Sequence, residues 1–196
     1  MQRDPALPRR RSIRLPLFDY AQPYFYFVTI CSFGKECIFG HVEGREMFLN
    51  ALGRLVDECW RQIPRHFSVV ELAPHVVMPN HIHGIIRLRH ATDGASVAKQ
   101  LGRARHAVPL RPDRPVREFA SPTVGSIPTI VGAFKAAVSK RIRALGNSEG
   151  RPIWQRGYFE RVIRTEKEFG AICEYIRFNP SQWNSDEENA DRKPPR

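Results

Sequence analysis

The sequence is poor in cysteine: Cys31, Cys37, Cys59 and Cys173 are four residues among 196. Their gaps of 6, 22 and 114 residues contain no CxxC, which argues against a zinc knuckle. Reduced thiols are expected, with Cys59 and Cys173 as small core residues on apolar helical faces. No run of about 18 apolar residues occurs, so no membrane-spanning helix is expected. The first 16 residues are Arg-rich and lack an apolar h-region, which argues against a secretory signal. No internal repeat is visible. Acidic residues are also scarce: 20 Asp and Glu stand against 31 Lys and Arg, a net charge of +11.

What is present completes the class. Hydrophobic residues make up 42% of the chain, which excludes a disordered protein and suffices for one core. The length fits a single domain. The expectation is a soluble, cytoplasmic, nucleoid-associated protein whose partner is a polyanion. A merely soluble basic surface is the plainer alternative.

The charge is segregated. Residues 1–16 carry five Arg and one Asp, residues 87–118 are net +5, and residues 132–167 are net +6. Residues 35–58 are net −2 and residues 184–196 are net −1. One anion-binding face would produce such a pattern. By position and charge, Arg9, Arg10, Arg11 and Arg14 form a basic arm. Lys135, Lys140, Arg141 and Arg143 form the outward face of a helix, and Arg156 follows in a loop.

The sequence Tyr24–Ile30, YFYFVTI, predicts a central strand. Cys37–Val42 continues as a short hairpin arm. Met47–Trp60 places Phe48, Leu52, Leu55, Val56 and Cys59 at helical spacing. Phe67–Met78 and His81–Leu88 are two strands joined by the turn formers Pro79 and Asn80. Residues 89–125 hold four prolines and no periodicity, and read as a long basic loop or insertion. A second helix runs from about Thr129 to Ala144, with Ile130, Phe134, Val138 and Ile142 inward. Tyr158–Arg164 forms a short strand. The last helix starts at Thr165, where Thr165 and Glu168 make a capping box, and ends by Asn179 ahead of Pro180. The fold class is α+β on a mostly antiparallel sheet. The organisation is a basic N-terminal arm (1–22), one domain (23–183) and a polar C-terminal tail (184–196).

Three residue sets could carry chemistry. His81 and His83 alternate with Ile82 along a strand, so both imidazoles point to one face. They can converge on one metal ion; two idle edge histidines would show the same pattern. On the last helix, at about 100° per residue, Phe169, Ile172, Cys173 and Ile176 share a buried face. Tyr175 and Asn179 flank that face and are i, i+4 neighbours. Tyr175 is a candidate nucleophile, or an ordinary packing residue at the border of core and solvent. A phenol is unreactive at its usual pKa and needs a polarised target, which a metal held by two His and a side-chain oxygen provides. Trp154 and Tyr158 could stack bases, or anchor the core.

At these residues the chain resembles a known family. Val76–Ile86, VVMPNHIHGII, is similar to the HUH signature of single-tyrosine transposases. Tyr175–Pro180, YIRFNP, resembles the YIxxNP element of the REP-associated tyrosine transposases. Arg11–Leu15, Tyr26–Cys31 and Ile153–Tyr158 are similar to further blocks of that branch, in order along nearly the whole chain. The resemblance implies a ferredoxin-like antiparallel sheet of the HUH endonuclease type with helices packed on it. It implies Tyr175 as nucleophile and His81 and His83 as ligands of Mg²⁺ or Mn²⁺. Asn179 stands where relatives carry a Gln as third ligand. The implied activity is cleavage and transfer of single-stranded DNA at REP-type hairpins through a 5′-phosphotyrosine. The basic N- and C-terminal regions would hold the hairpin, and the chain would act as a monomer or homodimer. The sequence departs from the pattern at Arg161, where many members have His. Two alternatives remain: a non-catalytic binder of structured single strands, and a phosphodiesterase that uses water.

Overall fold

A computed structural model describes residues 19–89, 125–146 and 150–189. The arm residues Arg9, Arg10, Arg11 and Arg14 lie outside the described residues, as does nearly all of the 89–125 segment. The described chain forms strand β1 (Phe25–Cys31), the hairpin β2 (Gly40–Glu43) and β3 (Glu46–Leu49), and helix α1 (Ala51–Arg61). A one-turn helix α2 (Ile63–His66) and strands β4 (Val70–Val77) and β5 (His81–Leu88) follow. Helix α3 (Ile127–Ala144), strand β6 (Phe159–Ile163) and helix α4 (Glu166–Phe178) complete the order. A 3-10 turn at Pro180–Ser185 then reverses the chain.

The main sheet has the order β4-β5-β1-β6, and every described pairing in it is antiparallel. This is the expected α+β architecture. Side chains alternate along strands, so the register sorts the sheet into two faces. Tyr26, Val28, Ile30, Ile82, Ile86 and Leu88 meet residues of α1 and α3 in the larger core cluster. Phe27, Ile85 and Ile163 meet Ile176 of α4 on the other face, flanked by Phe169, Ile172 and Cys173. His81 and His83 lie on this second face, in register with Cys31 and Thr29 of β1. All eight residues of β5 are buried, because helices cover its two sides.

One glycine is decisive for this packing. Gly84 points toward α1, and a Cβ there would collide with the Trp60 ring. The six-membered ring of the indole therefore lies against the β5 backbone, one residue from His83. Gly84→Ala is expected to cost about 1–3 kcal/mol by forcing Trp60 aside. Urea unfolding would measure it, and an unchanged midpoint would contradict the close approach.

One expectation needs correction, and one open alternative is decided. The predicted helix Met47–Trp60 begins only at Ala51, and Glu46–Leu49 pairs with Gly40–Glu43 as a hairpin. Phe48 is 46% exposed instead of inward. Asn50 decides the boundary, since its side chain accepts the Gly53 amide at 2.9 Å and caps the helix there. Trp154 is buried against Phe39 and Phe134 at ring distances of 5.2 and 5.7 Å. It is a core anchor, and its ring is closed to a base. Among the described residues, no helix is long and apolar enough to cross a membrane.

Candidate active site

The β4–β5 turn places the histidines. Met78 N–H donates to the His81 carbonyl at 2.8 Å, which closes the tight turn around Pro79 and Asn80. Asn80 is fully buried and bonded on three sides. Its amide donates to the Lys35 carbonyl at 3.0 Å and the Glu188 carbonyl at 2.7 Å. Its Oδ1 accepts from His81 Nδ1 at 2.7 Å. With that proton on Nδ1, His81 Nε2 carries the lone pair. This nitrogen is buried and has no hydrogen-bond partner.

His83 is oriented in the same way. Its Nδ1 lies 2.8 Å from Thr29 Oγ1, on the neighbouring strand. With Nδ1–H donating to Thr29 Oγ1, Nε2 accepts the Tyr175 phenol O–H at 3.1 Å. The two imidazole rings are 4.3 Å apart at their centroids. Burial, with a further push from Lys35, drives the His81 pKa down to about 3. Burial, with His81 as neighbour, drives His83 down to about 3. Both rings are therefore neutral at physiological pH, the form in which imidazole binds a metal.

Helix α4 brings in the other residues. Thr165 Oγ1 accepts the Glu168 amide at 3.1 Å, so the first half of the capping box forms. Glu168 reaches back to the Arg164 amide at 2.9 Å, one residue before the cap. Tyr175 then stands at the border expected, 40% exposed, with its ring edge on Phe27. Burial raises its pKa to about 12, with Asp186 and Glu188 adding to the rise and the Asn179 amide opposing it. Asn179 is fully buried and donates to Asp186 Oδ2 at 2.7 Å, while its Oδ1 has no partner.

Asp186 is the residue that sequence reasoning missed. It falls in the segment read as a tail, yet it is buried. Ligand atoms of His81, His83 and Asp186 lie within 4.8 Å of one another. The Glu188 amide donates to Asp186 Oδ1 at 2.7 Å, so both carboxylate oxygens are oriented. The strap continues with Glu188, which pairs with Lys35 at 2.9 Å and receives the Cys31 thiol at 3.3 Å. Neither periodicity nor a motif marks Asp186 in the sequence; the turn at Pro180–Ser185 carries it back to the histidines. The residues fit a divalent cation by their own chemistry. An open imidazole nitrogen, a second imidazole and a carboxylate converge in one buried place, and the carboxylate is held by the Asn179 amide, whose own oxygen is orphaned. Such a mixed nitrogen and oxygen set suits a first-row or alkaline-earth dication.

The expected DNA-binding residues divide. Helix α3 packs on the face opposite the histidines. There Arg141 pairs with Glu58 at 2.7 Å, and Lys135 donates to the carbonyls of Gln155 and Gly157. Lys140 and Arg143 are exposed on that far layer. Arg156 is exposed next to Gln155, whose amide bonds the Cys31 carbonyl at the histidine end of β1. Tyr158 donates its hydroxyl to Glu160 at 2.8 Å.

Acid should destabilise this site. The unfolded histidines take up protons near pH 6.5, whereas the folded ones resist down to about 3. Between these values the unfolded state binds more protons, so stability rises with pH and is lost on acidification. The carboxylates of Glu168 and Glu188 sit below their usual range and contribute only at lower pH. In chelator, the urea midpoint is expected to fall steadily from pH 7 to pH 5. A flat profile there would mean that the rings are not buried as neutral groups.

No family model matches the chain. Among solved structures, a REP-associated tyrosine transposase bound to a REP hairpin superposes with a TM-score of 0.53 and 16% identity. The match covers 84% of this chain and 71% of that one, and shows a shared fold. A transposase candidate from Deinococcus radiodurans R1 superposes with a TM-score of 0.44 and 17% identity, over 80% of this chain and 90% of that one. Among curated sequences, an uncharacterized protein of Haemophilus influenzae is 42% identical over 178 residues, 91% of this chain and 92% of that protein. Identity of that degree over nearly both whole chains means that the chain belongs to the family of this Haemophilus influenzae protein, built on the fold seen in the REP-associated tyrosine transposase.

Proposed function

We propose that the protein is a metal-dependent DNA strand transferase that cuts and rejoins single-stranded DNA beside REP-type hairpins, with Tyr175 as nucleophile. The observation that carries this reading is the Tyr175 phenol 3.1 Å from His83 Nε2, beside the open His81 Nε2 and Asp186. A structural histidine pair would not leave a buried lone pair facing a carboxylate and a tyrosine. His81, His83 and Asp186 would hold the ion, with Asn179 as orienting amide or further oxygen ligand, and Mg²⁺ or Mn²⁺ suits the role. When bound, the ion polarises a phosphodiester and offsets the charge that builds on it.

The protein's own residues perform the transfer. The Tyr175 oxygen forms a bond to phosphorus, and the phenol proton passes to water on the exposed side of the ring. The bond between phosphorus and the 3′ oxygen breaks, and that oxygen takes up a proton. The 5′ phosphoryl group stays on Tyr175. Attack by a 3′-hydroxyl reverses each change and restores a phosphodiester, so no bond energy is lost to hydrolysis. The buried Phe27 ring supports Tyr175, and α4 fixes its backbone. Exposed Arg156 and the basic arm supply phosphate contacts and a steep salt dependence.

The test is to mix the protein with a hairpin oligonucleotide carrying single-stranded flanks, in Mg²⁺ or Mn²⁺. A covalent complex that survives denaturant and maps to Tyr175 is expected. Tight binding with no adduct in either metal would favour the non-catalytic alternative. Cleavage without an adduct would favour attack by water.

A further inference from the structure

Resting on that reading of the site, we propose that the outer edge of β6 seats one unpaired nucleotide next to the cleavage point, with its base stacked on Phe159. Phe159 is large, apolar and 37% exposed. In the register, Phe159 pairs with Thr29 and Thr29 pairs with His83, so the three form one row across the sheet. Two strand spacings put Phe159 about 10 Å from His83 along that row. The ring is also joined to the site by contact. Phe27 lies 6.3 Å from Phe159, 6.1 Å from Tyr175 and 5.3 Å from the His83 ring. Phe27 itself is buried and closed to a base. It acts as the floor that holds Phe159 beside the nucleophile.

The surroundings match a nucleotide. A cavity of about 290 Å³ opens beside Phe159 around the β6 edge, lined also by Tyr20, Glu160, Arg161, Val162, Arg164 and Glu168. Arg161 is held by Glu168 at 2.7 Å, and Glu168 is itself fixed by the Arg164 amide at the start of α4. The guanidinium is thus held in place with further N–H donors to offer. A flat hydrophobic ring flanked by two exposed arginines, Arg161 held by Glu168, is the pattern that binds single strands: every base has a stacking face, and every nucleotide a phosphate. β6 ends the sheet, so no described strand lies over this groove. A nucleotide finds both of its chemical halves matched here, a ring for the base and guanidinium N–H groups for the phosphate.

The experiment uses the full protein in chelator, so that nothing is cut. The probe is a hairpin oligonucleotide with single-stranded flanks in which 2-aminopurine is walked base by base. One flank position is expected to show quenching that Phe159→Ala loses and Phe159→Trp keeps. Phe159→Ala should weaken binding about 5- to 150-fold, the range for loss of one stacked base. Arg161→Gln and Arg164→Gln should each lower the salt slope by about one. Unchanged affinity and an unchanged quenching profile in Phe159→Ala would overturn the groove. If that variant still forms the Tyr175 adduct in metal, the strand-transfer reading stands without the groove. Phe159-dependent quenching with no adduct in the unsubstituted protein would instead support the groove and count against strand transfer.

Discussion

Tyr175→Phe is expected to lower covalent adduct formation by at least about 10³-fold, because nothing else in the site can replace the attacking oxygen. The substitution removes one atom. The ring keeps its edge contact with Phe27 and its place beside His83. The lost hydrogen bond to His83 costs only about 1 kcal/mol of stability, and the position is partly exposed, so the fold should persist. Hairpin binding should stay at the level of the unsubstituted protein, since phosphate contacts supply it. The outcome separates the two tyrosines. Tyr158 is tied to Glu160 and should leave adduct formation intact when changed to Phe. An adduct that persists in Tyr175→Phe and vanishes in Tyr158→Phe would reverse the assignment.

The second large effect concerns the metal. His81→Ala removes the one open imidazole nitrogen and should weaken Mn²⁺ binding by more than about 100-fold, beyond the 10- to 100-fold typical of a supporting residue. Asn80→Ala should fall within that supporting range, because Asn80 touches no ion but fixes the His81 tautomer. Isothermal titration with Mn²⁺ reads both without DNA or turnover. The same titration decides between the two oxygen ligands. If Asp186 completes the set, Asp186→Asn should match His81→Ala, and Asn179→Ala should behave as the weaker, orienting substitution. If the oxygen comes from Asn179, the order is the opposite. Mn²⁺ affinity that survives His81→Ala unchanged would remove the metal site altogether.

Much of this arrangement is legible in the amino-acid order. The β-branched and aromatic run at Tyr24–Ile30, the Pro79-Asn80 turn and the Thr165/Glu168 cap each rest on local chemistry, and local chemistry is what a single sequence displays. The face of α4 is legible for the same reason: Phe169, Ile172, Cys173 and Ile176 repeat at the helical period and do line the second core cluster. Phe48 shows where this fails. It sits four residues before Leu52, at helical spacing, but Asn50 caps the helix between them and the preceding residues pair as a hairpin. Periodicity does not reveal which of two local signals prevails when they overlap.

The sequence by itself determined the four strands of the main sheet, the side of β5 that carries both histidines, and the helix flank that carries Tyr175 and Asn179. Those follow from the two-residue period of a strand and the 3.6-residue period of a helix. Only the tertiary structure decided that Asp186 joins them, that Trp154 lies inside, that the cations of α3 sit on the far layer, and that Phe159 shares a row with His83. Each of these depends on contacts between residues far apart in the chain. Such contacts are set by how turns return the backbone and how buried faces match, and neither leaves a local signature.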